Sequence, residues 1–149
     1  MSYSCLEELQ VDLDLYALNK TSVLSKVGSK YEDGWFIITD DGICYLFNKD
    51  GNLDDIKKVT QLKEKYIRED IKKIIIPGSV TSIGSYAFDG CEDLTSVTIP
   101  DSVTSIGSWA FAYCSSLINL TFKGKTREKV QSMKNYPFGI KDQSVMQIE

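Results

Sequence analysis

Histidine is absent from this chain of 149 residues, and its absence excludes several kinds of chemistry. Without an imidazole the chain can form no Ser-His-Asp or Cys-His catalytic site, no histidine-ligated metal centre and no imidazole proton shuttle near neutral pH. Cysteine is scarce too, and no two cysteines have the C-x-x-C spacing of a zinc site; the four are Cys5, Cys44, Cys91 and Cys114. We therefore expect no metal ion or other cofactor.

Long hydrophobic runs are also missing. No segment approaches the ~20 apolar residues that are needed to span a bilayer, so no membrane partner is expected. Residues 1–8 lack the basic and apolar regions of a secretory signal. If Met1 is the natural start of the protein, we expect a cytoplasmic location.

Neither sign of charge dominates the chain. The net charge is −4, and no stripe of Lys or Arg is present, which argues against a nucleic-acid partner. Consecutive carboxylates occur at Asp40-Asp41 and Asp54-Asp55, but consecutive residues point apart and rarely form an acid–base couple. The acidic turns lack the ligand pattern of an EF-hand, so solvated turns explain them better than a calcium site. The sequence thus predicts a protein that is not an enzyme and has no small-molecule substrate.

What the sequence does contain is a segment that occurs twice. Ile76 to Phe88 (IPGSVTSIGSYAF) is followed by Ile99 to Phe111 (IPDSVTSIGSWAF), and Cys91 is matched by Cys114, all at a constant offset of 23 residues. Self-similarity at this kind of period is typical of stacked coils that bury their apolar faces on one another.

Within each coil, apolar residues recur at positions that a short strand turns inward. The inward set is Ile71, Ile74 and Ile76, then Leu94, Val97 and Ile99, then Leu117, Leu120 and Phe122. A second inward set follows the prolines: Val80, Ile83, Val103 and Ile106. We expect Trp109 in the core and Tyr113 exposed. Cys91 and Cys114 are interpreted as small buried residues, with a disulfide as the alternative.

The joint spacing of these motifs resembles the BspA-type leucine-rich repeat over residues 67–126. The resemblance implies an α/β solenoid in which the strands line one concave face. Larger secreted members of that family are associated with adhesion and with binding of host proteins. This chain has few repeats and no recognisable export signal, and the resemblance does not extend to residues 1–66.

We therefore predict an α+β fold in three parts. Residues 1–66 form an N-terminal α+β unit that covers the first coil, residues 67–126 form two full coils and one partial coil, and residues 127–149 form a C-terminal cap. Before the repeats we predict a helix that follows a Ser4–Glu7 capping box, with Leu6, Leu9, Leu13 and Tyr16 on one face, and a short helix at 21–27. A hairpin of Trp35–Thr39 and Ile43–Phe47 comes next, and then a helix at Leu53–Asp70 with Ile56 and Val59 buried. After the repeats we predict a helix at 126–133, with Val130 and Met133 against the last coil, and an edge strand near Val145–Ile148.

The predicted function is that of a protein-binding module without catalysis, because a solenoid generally works through its surface. Two alternatives stay open: an inhibitor, phage-borne or effector-like, that occludes a host protein, and a fragment of a surface adhesin. Homo-oligomers that pair through strand edges are also open. The candidate contact residues are Lys72, Lys73, Ile75, Thr95, Ser96, Thr98, Tyr113, Ile118, Asn119 and Thr121.

Overall fold

The computed structural model describes residues 3–19, 29–31, 34–53, 55–61 and 70–149. In chain order its elements are helix α1 (Leu6–Asn19), strands β1 (Ser29–Tyr31), β2 (Gly34–Ile38), β3 (Ile43–Asn48), β4 (Lys58–Val59), β5 (Lys73–Ile75), β6 (Ser82–Ile83), β7 (Ser96–Ile99), β8 (Ser105–Ile106) and β9 (Asn119–Phe122), helix α2 (Arg127–Ser132), a 3-10 helix (Gln143–Val145) and strand β10 (Met146–Ile148). The predicted helix at 21–27 lies outside the described residues.

Two sheets run the length of the coil stack. In the described part of the chain, the main sheet has seven strands in the order β1-β2-β3-β5-β7-β9-β10, and the second sheet has three in the order β4-β6-β8. Strand β2 is antiparallel to both β1 and β3, and its pairing with β3 is the hairpin predicted from the sequence. From β3 onward every neighbouring pair is parallel, as expected when each coil adds one strand to each sheet.

The register between coils follows the repeat. Lys73 pairs with Ser96 and Ser96 with Asn119, so equivalent residues of successive units lie side by side. The inward residues predicted for the strands are all buried in one hydrophobic cluster, which we call the main core. The alternation of buried and exposed residues along the strands is therefore confirmed.

The coil stack begins earlier in the chain than the sequence analysis predicted. The helix expected over Leu53–Asp70 is wrong for its described part, because Lys58–Val59 is a strand that pairs with β6 and residues 62–69 lie outside the described residues. Ile56 and Val59 are buried as predicted, but in the main core. Their spacing fits both a helical face and the inward positions of a coil, and their offset from Val80 and Ile83 is 24 residues, so a search at 23 misses them.

The placement of Trp109 also differs from the prediction. Its side chain is 52% exposed, and the equivalent Tyr86 is 44% exposed. The large inward position in each unit is filled instead by Phe88 and Phe111, whose rings stack with centroids 5.5 Å apart. The space inside the coil is thus already occupied, and the residue before the Ala-Phe pair is left on the surface.

Gly107 is required by the close packing of successive units. A Cβ atom at this position would lie 2.2 Å from the backbone nitrogen of Ser85, far inside van der Waals contact. Its own amide donates to the carbonyl of Ile83 at 2.7 Å. The glycine of the Ser-Ile-Gly motif therefore lets two coils approach each other, and the turn itself does not demand it.

Helix α1 packs on one face of the main sheet, over β2 and β3. Leu9 and Leu13 of the helix are fully buried with Ile37 and Phe47 of the two strands, in a second hydrophobic cluster. Leu6 and Tyr16 pack against this cluster, so the predicted buried face of the helix is confirmed. The residue that receives the Ser4 hydrogen bonds is Glu8 rather than Glu7, since both the amide and the hydroxyl of Ser4 donate to the Glu8 carboxylate.

The C-terminal residues return to the last coil. Helix α2 starts at the N-cap Thr126, whose hydroxyl oxygen accepts from the Lys129 amide at 3.1 Å, and Val130 and Met133 pack against the main core. The chain then reaches β10, which pairs in parallel with β9, so the predicted edge strand is present.

Candidate functional site

Nine candidate contact residues form three rows, one at the residues that immediately precede β5, β7 and β9, and two on these strands, on the side of the main sheet that faces away from the main core. We call this side the outer face. The first row is Lys72, Thr95 and Ile118, the second is Lys73, Ser96 and Asn119, and the third is Ile75, Thr98 and Thr121. Backbone hydrogen bonds of 3.0 Å hold the first row together, from the Thr95 amide to the Lys72 carbonyl and from the Ile118 amide to the Thr95 carbonyl.

Most of these side chains are exposed, as the sequence pattern predicted. Ser96 and Thr121 are half-buried, and the others are exposed. Two aliphatic side chains stand among the polar ones: Ile118 is 63% exposed and Ile75 is 38% exposed. Lys72 and Lys73 place two basic side chains at the corner of the face near β3, where the hairpin turn also carries the exposed Asp40 and Asp41. The result is a regular surface of polar and charged groups with two exposed aliphatic side chains.

Helix α1 covers the neighbouring part of the same outer face. Ile75 pairs in register with Tyr45 of β3, and Tyr45 packs against the second hydrophobic cluster beneath α1. The helix therefore forms a wall beside the β5 end of the three rows. The sequence analysis did not predict this arrangement, because no local pattern specifies which face of a sheet a distant helix will cover.

Tyr113, the tenth candidate contact residue, lies apart from the three rows. It lies 69% exposed beside a separate groove of about 800 Å³ between the last coil and the C-terminal residues. Trp109 and Tyr136 also line this groove, with Leu117 and Ile140. We call it the aromatic groove. Sequence reasoning missed Trp109 as a surface residue.

Tyr113 differs from the equivalent residue of the preceding repeat unit. It is equivalent to Gly90 in the preceding unit, and both residues have a left-handed backbone, with φ of 58° and 78°. Glycine adopts this conformation freely, whereas a bulky residue is strained in it. The preceding coil is built without a side chain at this position, so Tyr113 is not required by the geometry of the coil. The left-handed backbone of Tyr113 is a property of the folded chain, so the sequence alone could not have revealed it.

The acidic turns and the cysteines form no cluster of metal ligands in the part of the chain that the structure describes. Within that part, no three His, Cys, Asp or Glu side chains are close enough to hold a metal ion. Asp40 and Asp41 are exposed at the hairpin turn, and Asp54 lies outside the described residues. Cys91 is buried, and the half-buried Cys114 donates its thiol to the Phe88 carbonyl at 3.2 Å, with no disulfide between the two cysteines. No helix of the described residues has the length and apolar character needed to cross a bilayer.

The chain matches the model of a known repeat family over most of its length. A family model for the BspA type leucine-rich repeat region matches residues 45–147 with six copies of its unit. Among solved structures, a leucine-rich repeat protein from Eubacterium ventriosum is similar, with 25% sequence identity and a TM-score of 0.47. That alignment covers 62% of this chain and 24% of the other, so the chain spans only a minor part of that protein's length. No curated protein matches the chain.

Proposed function

Because this chain belongs to the BspA-type leucine-rich repeat family, as its motifs predicted, we propose that it is a non-catalytic protein-binding module whose outer face holds a protein partner. Repeat solenoids use the extended surfaces that their stacked strands create. The observation that carries the proposal is the exposure of Ile118 and Ile75 on an otherwise polar and regular sheet surface. The exposed part of an aliphatic side chain at such a position contributes nothing to the core, but contributes apolar area to an interface.

The two ends of the proposed contact surface differ in chemistry. The basic side chains of Lys72 and Lys73 and the wall formed by α1 lie toward one end of the three rows, and Ile118 lies toward the other. A partner with an acidic group at one end of its contact surface and an apolar pocket at the other matches this order. The two other roles, an inhibitor of a host protein and a fragment of an adhesin, use the same face and differ in the identity of the partner.

The experiment is an affinity capture from cells of the source organism, with mass spectrometry, using the wild type and Ile118→Asp. We expect the aspartate to weaken retention of the specific partner by about tenfold or more, because it places a charge against a desolvated contact. Tyr86→Asp is the matched control, since it also replaces an exposed apolar residue but lies on the return segment between β6 and β7.

Two results contradict the proposal. One is a partner that Ile118→Asp and the wild type retain equally. The other is a turnover reaction of the purified protein that is lost in Asp40→Ala, which would make the chain an enzyme.

A further inference from the structure

Helix α1 carries an apolar stripe that is separate from its buried face. Val11, Leu15 and Leu18 are 60%, 47% and 79% exposed. They are spaced four and three residues apart, so they lie next to one another along one side of the helix. The buried pair Leu9 and Leu13 lies on the opposite side, against the hairpin. We call the three exposed residues the aliphatic stripe.

Acidic side chains border the aliphatic stripe on both sides. Glu7 and Glu8 are four and three residues from Val11, Asp12 is three residues from Leu15, and Asp14 is three residues from Val11 and four from Leu18. The helix has no Lys or Arg. Hydrogen bonds from the hydroxyl and amide of Ser4 lower the pKa of Glu8, so this carboxylate is charged at neutral pH. The stripe and its border therefore combine apolar area with concentrated negative charge.

We propose that the aliphatic stripe docks a basic amphipathic helix of a partner protein, one whose own apolar stripe is bordered by Lys or Arg. Packing of two apolar stripes removes both from water, while the opposite charges at the borders fix the register and accelerate the encounter. This interface lies on the solvent side of α1 and uses none of the three rows of the outer face. It therefore goes beyond the function proposed above and does not depend on it.

The negative border argues against other occupants. A second copy of the chain would bring two acidic borders together, and like charges oppose that contact. Helices that lie on a membrane carry Lys and Arg on their polar face, whereas the border here repels anionic lipid. A partner helix with basic borders is the occupant for which both the apolar and the electrostatic contributions are favourable.

The test measures binding of the full chain to two labelled peptides by fluorescence anisotropy. Both peptides have about five helical turns and the same content of Leu, Lys and Ala, but only one places its Leu residues in a single stripe. We expect the striped peptide to bind about tenfold or more tightly than the permuted one, and its Kd to rise with salt because the charges become screened. Equal binding of the two peptides would overturn the proposal, since acidity alone would then explain the association.

Variants of the chain locate the binding site. The triple change Val11→Gln, Leu15→Gln and Leu18→Gln should weaken the striped peptide about tenfold and leave the thermal unfolding midpoint unchanged, because all three side chains are exposed. Leu18→Gln alone should act in the same direction and guards against misfolding of the triple variant. Tyr86→Gln, which changes an exposed side chain on the return segment between β6 and β7, should leave peptide binding unchanged.

Three outcomes contradict the proposal. Unchanged peptide affinity in the variants would place the contact elsewhere. A lowered unfolding midpoint in Leu18→Gln would mean that the stripe packs against another part of this same chain. A wild-type dimer that the triple variant loses in sedimentation experiments would make a second copy the occupant.

Discussion

At the scale of single residues, the backbone of the coil has left-handed positions, and these hold either an aromatic residue or glycine. Tyr86, Trp109 and Tyr113 adopt the left-handed conformation with φ near 60°, and Gly90 adopts it with φ of 78°. A side chain in this region costs about 1–2 kcal/mol relative to the right-handed conformation. The side chains of these three aromatic residues are exposed, so their burial in the core offsets only part of this free-energy cost.

The strain is measurable with a matched pair of glycines. Gly90 and Gly78 both have open space where a Cβ atom would lie, but only Gly90 has a positive φ. Gly90→Ala should therefore reduce the free energy of unfolding by about 1 kcal/mol, whereas Gly78→Ala should leave it unchanged or raise it by about 0.5 kcal/mol, because alanine restricts the unfolded chain. Urea denaturation of the two variants measures both values. Equal destabilisation by the two alanines would show that the backbone conformation is not the cause.

At the scale of elements, the C-terminal residues complete the hydrogen bonds that the last coil would otherwise lack. The side chain of Asn135 donates its amide to the Ile106 carbonyl at 3.0 Å, and its oxygen accepts from the Ser108 hydroxyl at 2.9 Å. The Phe111 amide donates to the Phe138 carbonyl at 3.0 Å. These groups take the place of a further coil above β8, at the end where a solenoid needs a cap.

Removal of the Asn135 side chain should therefore destabilise the chain without a change in the core. Asn135→Ala leaves the Ile106 carbonyl without its donor, for which we expect a loss of about 1–3 kcal/mol in the free energy of unfolding. Asn119→Ala is the control, because Asn119 is exposed on the outer face, and it should change this free energy by less than about 0.5 kcal/mol. Thermal or urea unfolding distinguishes the two. A near-neutral Asn135→Ala would refute a capping role for this side chain.

The strands of the repeats could be predicted from the sequence because each depends on a local alternation that occurs more than once. Val97, for instance, is marked as inward both by its neighbours and by Ile74 and Leu120 in adjacent units. Strand β4 could not be predicted this way, since one additional residue breaks the period between Val59 and Ile83. The helical spacing of Ile56 and Val59 then favoured the wrong element.

At the scale of the whole molecule, one core joins the N-terminal strands to the repeats. Phe36, Cys44 and Leu46 of the hairpin lie in the same cluster as the inward residues of the coils. The outward positions of the repeats were predictable, because alternation along a strand fixes them. The wall made by α1 and the surface position of Trp109 were not, because both depend on which side chains fill shared space between distant parts of the chain.

A continuous core predicts a single unfolding transition. The two tryptophans lie in different parts of the chain, Trp35 in β2 and Trp109 after β8. In the variants Trp35→Phe and Trp109→Phe, the remaining tryptophan should report the same urea midpoint and slope as far-ultraviolet circular dichroism of that variant. Two separated transitions, with Trp35 changing before Trp109, would instead show that the N-terminal part unfolds on its own.

The fixed register from coil to coil has a consequence for how such a protein can change length. Strands β5, β7 and β9 repeat the same pairing, with β3 paired to β5 at one end and β10 paired to β9 at the other. Duplication of one 23-residue unit in the gene would therefore insert one additional coil. The N-terminal and C-terminal elements would move about 4.8 Å further apart, and neither would need a change in its sequence. Unequal recombination between the two near-identical segments would produce such a duplication in one step. The breadth of the outer face is thus a property that evolution can adjust in whole coils.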